Sequence, residues 1–136
     1  MSTGSTTARI AEWVAQTHFE DLPRRVTEEA KNQILSMIAA VHAGHFSDAG
    51  RIVSRTVKDW STGKDATMIP SGERTSLHNA IFANTALSMA LDFDDYLFAG
   101  HTGHSAVLVT LALAEKVGFS GKDFLLAQTL ANEIEG

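Results

Sequence analysis

The 136-residue sequence contains no cysteine, no long apolar run and no excess of positive charge. The absence of cysteine excludes disulfides and thiolate metal sites. The longest apolar stretch, AVLVTLALA at 106–114, is far too short to span a bilayer. The net charge of −5 argues against nucleic acids and anionic membranes as partners, because both attract a basic surface. The N-terminus lacks a basic start followed by an apolar core, so we expect no secretory signal and a cytoplasmic protein.

The residues that are present predict helices. Apolar residues make up 44% of the chain and charged residues 20%, which is ordinary for one soluble globular domain. Apolar residues recur with a 3.6-residue period, and serine, proline or glycine stand where the helices begin and end. We therefore predict a single all-α domain over residues 1–136 with about six helices. The predicted helices begin near Ser5, Pro23, Ser47, Thr75, residue 105 and Ser120, and the second, third and fifth end at Gly44, Gly63 and Gly118.

The predicted helices have specified apolar faces, among them Val26, Ala30, Ile34, Met37, Ile38 and Val41 on the second, and one short segment is predicted to be extended. The third helix places Ile52, Val53, Val57 and Trp60 inward, and the fourth places Leu77, Ile81, Asn84, Ser88 and Leu91 along one stripe. Residues 66–69 form the extended piece before a turn at 70–72. The fifth helix is apolar nearly all round, so its neighbours must enclose it. Because the last helix also offers Leu126, Leu130 and Ile134, we expect apolar surface to remain uncovered.

Titratable residues are concentrated in the connection LDFDDYLFAGHTGHSA, at 91–106. His101 and His104 form an H-x-x-H pair, which is compatible with a metal site completed by Asp92, Asp94 or Asp95. It is equally compatible with acid–base chemistry, because a carboxylate can orient a histidine that titrates near neutral pH. The third alternative is a solvated loop between helices.

Burial favours the acid–base alternative. The acids directly follow Leu91, and Tyr96, Leu97 and Phe98 are expected to be buried, so the histidines should line a partly dry pocket. We predict Asp92, His101 and His104 as catalytic residues and no metal ligand. The other histidines, near helix ends or in turns, are predicted to be structural: His18, His42, His45 and His78.

The same stretch resembles the MmgE/PrpD family, which includes 2-methylcitrate dehydratase and cis-aconitate decarboxylase. The resemblance extends along the chain, through LPRRVTEEAKNQILSMIAAVHAG at 22–44, DATMIPSG at 65–72, NAIFANTALSMALDFDD at 79–95 and LALAEKVGFSGKDFLLAQTLANEIEG at 111–136. The DFDD element in that order of helices is the most specific of these matches.

The resemblance implies a mostly helical domain and cofactor-independent lyase chemistry on a small carboxylic acid. By position, the family's pocket aspartate falls on Asp92 and its pocket histidine near His101 or His104. We count Asp95, Tyr96 and Ser105 as candidate substrate contacts. Tyr96 stands where the family has threonine, and this larger side chain reshapes the pocket. Dehydration, decarboxylation and isomerisation all remain open.

The chemistry needs a partner as well. Holding a carboxylate requires a cation, and the sequence has no lysine or arginine between Arg74 and Lys116. The family's lid domain and its further pocket residues have no counterpart here. We therefore expect this chain to be the small subunit of a split enzyme, joined to a larger subunit in a heterotetramer. The alternative is a non-catalytic module that binds or stabilises a full-length relative.

Overall fold

The computed structural model describes residues 4–97 and 100–136. Within these ranges the chain forms six α-helices, as the sequence predicts. They are α1 (Thr6–Gln16), α2 (Arg24–His45), α3 (Asp48–Asp59), α4 (Leu77–Met89), α5 (Thr110–Val117) and α6 (Gly121–Glu135). A 3-10 turn at Phe19–Asp21 precedes α2. None of the helices in the described ranges is long and apolar enough to cross a membrane.

Serine side chains begin four of the six helices. Ser5, Ser47, Ser76 and Ser120 each accept a hydrogen bond from a backbone N–H in the first turn. These bonds satisfy donors that have no partner inside the helix. At Ser120 the capping is reciprocal, because Asp123 accepts from the Ser120 backbone N–H at 3.0 Å. Local sequence therefore sets these starts to within two residues of the predicted positions.

The core lies between α2, α4 and the segment that leads into α5. Its largest cluster consists of Met37, Val41, Leu87, Val107 and Leu108, which are 0–2% exposed. The sequence predicts that Gly44 ends α2. In the structure Gly44 lies inside the helix, one residue before its end at His45, and is buried. A Cβ there would lie 1.9 Å from the carbonyl oxygen of Leu87, so glycine allows α2 and α4 to approach closely.

A π-helical segment, His104–Val109, runs directly into α5. The prediction of one helix from 105 is right about its extent but misses this wider coil. The wider coil is not visible in the sequence, because a segment that is apolar on all sides has no stripe whose shift would reveal an extra residue per turn. Short π-helical segments often occur beside functional sites.

The predicted extended piece is half of a small hairpin. β1 (Ala66–Thr67) pairs antiparallel with β2 (Arg74–Thr75). Glu115 of α5 holds both strands, accepting from the Thr67 backbone N–H at 2.8 Å and from Arg74 Nη1 at 2.6 Å. This contact fixes the hairpin against the last turns of α5.

Two residues predicted to face inward from α3 are exposed. Ile52 is 65% exposed and Trp60 58% exposed, whereas Val57 is fully buried. Val53 and Val57 are four residues apart and share one face, while Ile52 lies about 100° around the helix from Val53. Because α3 ends at Asp59 rather than at Gly63, Trp60 falls on the cap residue and not on the buried face. Leu91, 39% exposed, likewise lies beyond the end of α4.

Candidate active site

The acidic connection begins where α4 ends and turns sharply at Asp92. Asp92 has φ of 55°, a left-handed conformation that is uncommon for residues other than glycine and is best tolerated by aspartate and asparagine. The chain then returns to the π-helical segment through His101 and Gly103. The connection brings Asp92 and Asp94 close to the first histidine.

The imidazole of His101 lies between two carboxylates. Its Nδ1 is 3.4 Å from Oδ1 of Asp94, and its Nε2 is 3.8 Å from Oδ1 of Asp92. The two acids differ in environment: the Asp94 side chain is 1% exposed and the Asp92 side chain 88%. His101 itself is one-third exposed, so one end of its ring faces the interior and the other faces solvent.

Asp94 has the features of an orienting residue. Both of its carboxylate oxygens and Nδ1 of His101 are buried, and among the described residues none of the three has a hydrogen bond of good geometry. A buried carboxylate without a donor is costly, and the His101 ring lies in contact distance to supply one. The 3.4 Å between Nδ1 of His101 and Oδ1 of Asp94 is an ion-pair distance without hydrogen-bond geometry.

Asp92, Asp94 and His101 also offer three ligand atoms within 4.8 Å of one another, the geometric requirement for a metal ion. The histidine contacts the two acids through different ring nitrogens, Nδ1 for Asp94 and Nε2 for Asp92, so the same residues also form an acid–histidine–acid arrangement. That the site uses no metal ligand stays a prediction.

His104 lies apart from these acids. It is the first residue of the π-helical segment, and its buried Nδ1 has no hydrogen-bond partner in the described part of the chain. No ion pair joins it to a carboxylate within those residues. Of the two candidate histidines, His101 is thus the one that the fold brings to the DFDD acids.

The predicted apolar walls of the site are wrong. Tyr96 is 71% exposed and Leu97 42% exposed, while Phe98 lies outside the described residues. Leu97 and Gly100 exchange backbone hydrogen bonds at 2.8 and 2.9 Å. The Tyr96 ring packs edge-on against His101 with centroids 5.9 Å apart. Within the described residues, His101 remains one-third exposed.

Asp95 and Ser105 bind other parts of the protein. The Asp95 carboxylate accepts from the backbone N–H of Gly103 at 2.7 Å and from the Thr102 hydroxyl at 3.2 Å. The Ser105 hydroxyl lies within donating distance of Glu135 in α6 and of the Thr102 carbonyl oxygen, at 2.8 and 3.0 Å. Both of these predicted substrate contacts tie the histidine loop to its surroundings.

A cavity of about 820 Å³ opens beside the loop. Asp95, Tyr96 and Thr102 line it from the loop, and Arg25 and Gln33 line it from α2. Within the part of the chain that the structure describes, Arg25 is the only cation in this lining, and it makes no hydrogen bond or ion pair there. Arg25 was not predicted from the sequence, because residues some seventy positions apart that line one cavity share no local pattern.

The helical architecture, with a DFDD element that delivers acids to a histidine loop, defines the class of the protein. Residues 8–136 match the MmgE/PrpD N-terminal domain, so the chain belongs to this family. Among curated proteins it is similar to the cis-aconitate decarboxylase-like protein oryM of Aspergillus oryzae, with 25% identity over 139 residues. The alignment covers 96% of this chain and 29% of that relative, so the chain spans less than a third of the relative's length. No solved structure gives a significant match.

Proposed function

We propose that this chain supplies acid–base residues to a cofactor-independent lyase that acts on a small carboxylic acid. The observation that carries the proposal is the position of His101 between a buried and an exposed carboxylate. His101 is assigned as the group that moves the proton, Asp94 as the residue that orients its ring, and Asp92 as the group exposed toward substrate and solvent. A pair of carboxylates in unlike environments is typical of sites that divide acid and base roles.

The relative named as cis-aconitate decarboxylase-like supports an unsaturated tricarboxylic acid, or a close analogue, as the substrate class. Elimination or decarboxylation of such a compound needs a group to transfer a proton at carbon and a cation to hold the remaining carboxylates. His101 is suited to the proton transfer. We assign Arg25, which lines the cavity beside the loop, to one of those carboxylates.

The proposed active form contains a second, larger chain that carries a lid and further cations. The cavity beside the loop is lined by Glu29, Asp95 and Glu133 as well as Arg25, so its formal charge is negative. A polyanionic substrate is therefore poorly matched to this chain alone. Completion by basic residues of a larger subunit, in a heterotetramer, resolves that mismatch.

A second candidate function is a non-catalytic module that binds a full-length member of the family. The exposed apolar side chains Leu35, Phe46, Ile52, Trp60 and Phe93, each more than half exposed, favour a binding role. The two functions differ in one respect: only the first requires His101 for turnover of the assembled complex.

The test compares three histidine variants in the co-purified complex, with tricarboxylic acids as substrates and product formation followed by NMR. His101→Ala should lower turnover on the order of a hundredfold, because it removes the proton-transferring group. His78→Ala, a histidine in the first turn of α4, is the matched control and should keep the wild-type rate. His104→Ala decides the remaining assignment between the two loop histidines.

Wild-type rates for both His101→Ala and His104→Ala would refute the acid–base role and leave the binding module as the function.

A further inference from the structure

The side chain of Gln33, in the middle of α2, connects the histidine loop to α6. Its Nε2 donates to Oδ2 of Asp95 and, at 3.1 Å, to Oδ1 of Asn132. Its Oε1 accepts from Gln128 and from Asn132, both at 2.8 Å. A third acceptor, the Thr102 hydroxyl, lies 3.4 Å from Nε2. One half-buried amide thus contacts α6 and the loop at the same time.

These contacts fix which way the amide faces. If Gln33 were flipped, its oxygen would lie against the Asp95 carboxylate and its NH₂ group against the donors of Gln128 and Asn132. The contacts with Asp95 and with Gln128, whose amide is held by the Ala30 carbonyl oxygen, would then be repulsive, so these two neighbours favour the observed orientation. Gln33 therefore acts as a directional link, with its donor end toward the loop and its acceptor end toward α6.

Asp95, in turn, binds the segment between the two histidines. Its Oδ1 accepts from the Gly103 backbone and its Oδ2 from the Thr102 hydroxyl. These are the two residues that separate His101 from His104. Gly103 packs closely against Asp95 and Met37, because a Cβ on Gly103 would lie 2.2 Å from Oδ1 of Asp95 and 2.3 Å from Sδ of Met37. A displacement of Asp95 must therefore move the loop.

We propose that Gln33 is a positioning residue, which acts through Asp95 to hold the loop that carries His101 and His104. Its effect on turnover rests on the proposed function, whereas its effect on the position of the two imidazole rings does not. Thr102 is 5% exposed and Gln128 fully buried, so water is poorly placed to replace the amide.

The experiment moves the negative charge from position 95 to position 33. Gln33→Glu alone sets two carboxylates against each other, and Asp95→Asn alone weakens the acceptor of the Gly103 N–H. The double variant Gln33→Glu/Asp95→Asn moves one carboxylate from the loop to α2 and keeps the net charge of the wild type. In the double variant the amide at position 95 donates to the carboxylate at position 33 and still accepts from the Gly103 N–H. The carboxylate at position 33 still accepts from Gln128 and from the Asn132 amide N–H. Its lost bond to Oδ1 of Asn132 is common to the single and the double variant, so the comparison of the two isolates the contact with position 95.

A matched control comes from the neighbouring residue. Asn32→Ala removes one exposed hydrogen bond, from Asn32 to Glu29, on the same turn of α2. It changes an amide of similar size without touching the loop.

The primary measurement is the position of the His101 and His104 ring resonances in ¹H–¹³C NMR spectra of the histidine-labelled chain. It is made on the chain alone where the chain is monomeric, and otherwise on the co-expressed complex. Gln33→Glu should shift both sets of resonances, and the double variant should return them to the wild-type positions. Asn32→Ala should leave them in place. If Gln33→Glu fails to fold, recovery of folding and of the resonances in the double variant supports the proposal equally.

Turnover separates this proposal from the proposed function. We expect Gln33→Glu to lower kcat on the order of tenfold to a hundredfold with little change in KM, because a misplaced catalytic group affects the chemical step. A complex without lyase activity whose resonances respond as expected refutes the proposed function and leaves the positioning role intact. A Gln33→Glu variant with a lower melting temperature but unchanged ring resonances, or a double variant that does not restore them, overturns the positioning role.

Discussion

Asp92 and Asp94 are two residues apart, yet one is almost fully exposed and the other almost fully buried. The turn at Asp92, with its positive φ, separates them by directing successive side chains to different surroundings. A buried carboxylate keeps a fixed geometry, and an exposed one exchanges protons with solvent. In the proposed function, this contrast gives His101 one partner that orients its ring and another that takes part in proton transfer.

A different aspartate provides a prediction about pH. A hydrogen bond from the Leu77 backbone N–H, and then the ion pair with Lys116, lower the pKa of Asp65 below its usual value. The charged form of Asp65 is therefore stabilised by folding. Its contribution to the free energy of unfolding is present at neutral pH and is lost as the pH falls through the lowered pKa. Asp65→Asn should reduce the free energy of unfolding at pH 7, and the difference from wild type should shrink as the pH is lowered from about 5 toward 2.

Urea denaturation at several pH values measures this difference. Asp59→Asn is the control, because Asp59 is an exposed acid with no ion pair in the described residues, and the charge change is the same. It should leave the urea midpoint unchanged at both ends of the pH range. If the free energies of unfolding of wild type and Asp65→Asn differed by the same amount at every pH, the carboxylate charge would not be the source of the stability.

The packing of α2 against α4 depends on Gly44, and it provides a second prediction. Alanine gains about 1 kcal/mol over glycine in a helix interior. At Gly44, however, the added Cβ would lie 1.9 Å from the Leu87 carbonyl oxygen and 3.2 Å from the Ala90 Cβ. Relief requires two backbones to separate, which typically costs about 1–3 kcal/mol or more. Gly44→Ala should therefore lower the melting temperature in spite of its better helix propensity.

Gly121→Ala is the matched control for this change. Gly121 is also helical, at the start of α6, and a Cβ there meets nothing within 4 Å. It should leave the melting temperature unchanged or raise it slightly. An equal effect of the two substitutions would indicate that the close contact between α2 and α4 is not what requires glycine at position 44.

The helices were predictable from the sequence because their starts are local. Ser47, Ser76 and Ser120 cap helices with bonds to residues three positions away, and a period of 3.6 marks the apolar faces. The role of Gly44 was not predictable, because its need for glycine comes from the close approach of α4. The inward position predicted for Trp60 is wrong because α3 ends before it.

The same distinction holds for the candidate site. The DFDD acids and the histidine loop are adjacent in sequence, so their grouping was predictable. Which acid is buried was not, because it depends on the turn at Asp92. The contributions of Arg25 and Gln33 come from α2, more than sixty residues earlier, and no local pattern relates them to the loop.

The distribution of apolar side chains over the whole chain is unusual for a protein that acts alone. The buried core is rich in alanine, with few large residues: Met37, Val41, Val57, Met68, Leu87, Val107, Leu108 and Leu130. A greater number of large apolar side chains are exposed, from Ile10 and Trp13 in α1 to Phe119 and Ile134 near α6. Trp60 and Phe82 lie close together with ring centroids 6.2 Å apart, so at least part of this surface is contiguous. Contiguous apolar surface of this kind marks a site of association.

We therefore predict that the chain expressed by itself aggregates or binds a hydrophobic dye under native conditions. Co-expression with a larger chain that carries the lid should abolish dye binding and produce turnover together, because the same contacts cover the apolar surface and complete the site.

Trp60 is 58% exposed, and its replacement by glutamine should reduce dye binding without lowering the melting temperature, since it removes exposed rather than buried apolar area. Sedimentation shows the size of the assembly. A stable monomer that binds no dye and turns over substrate without a partner would refute the split enzyme.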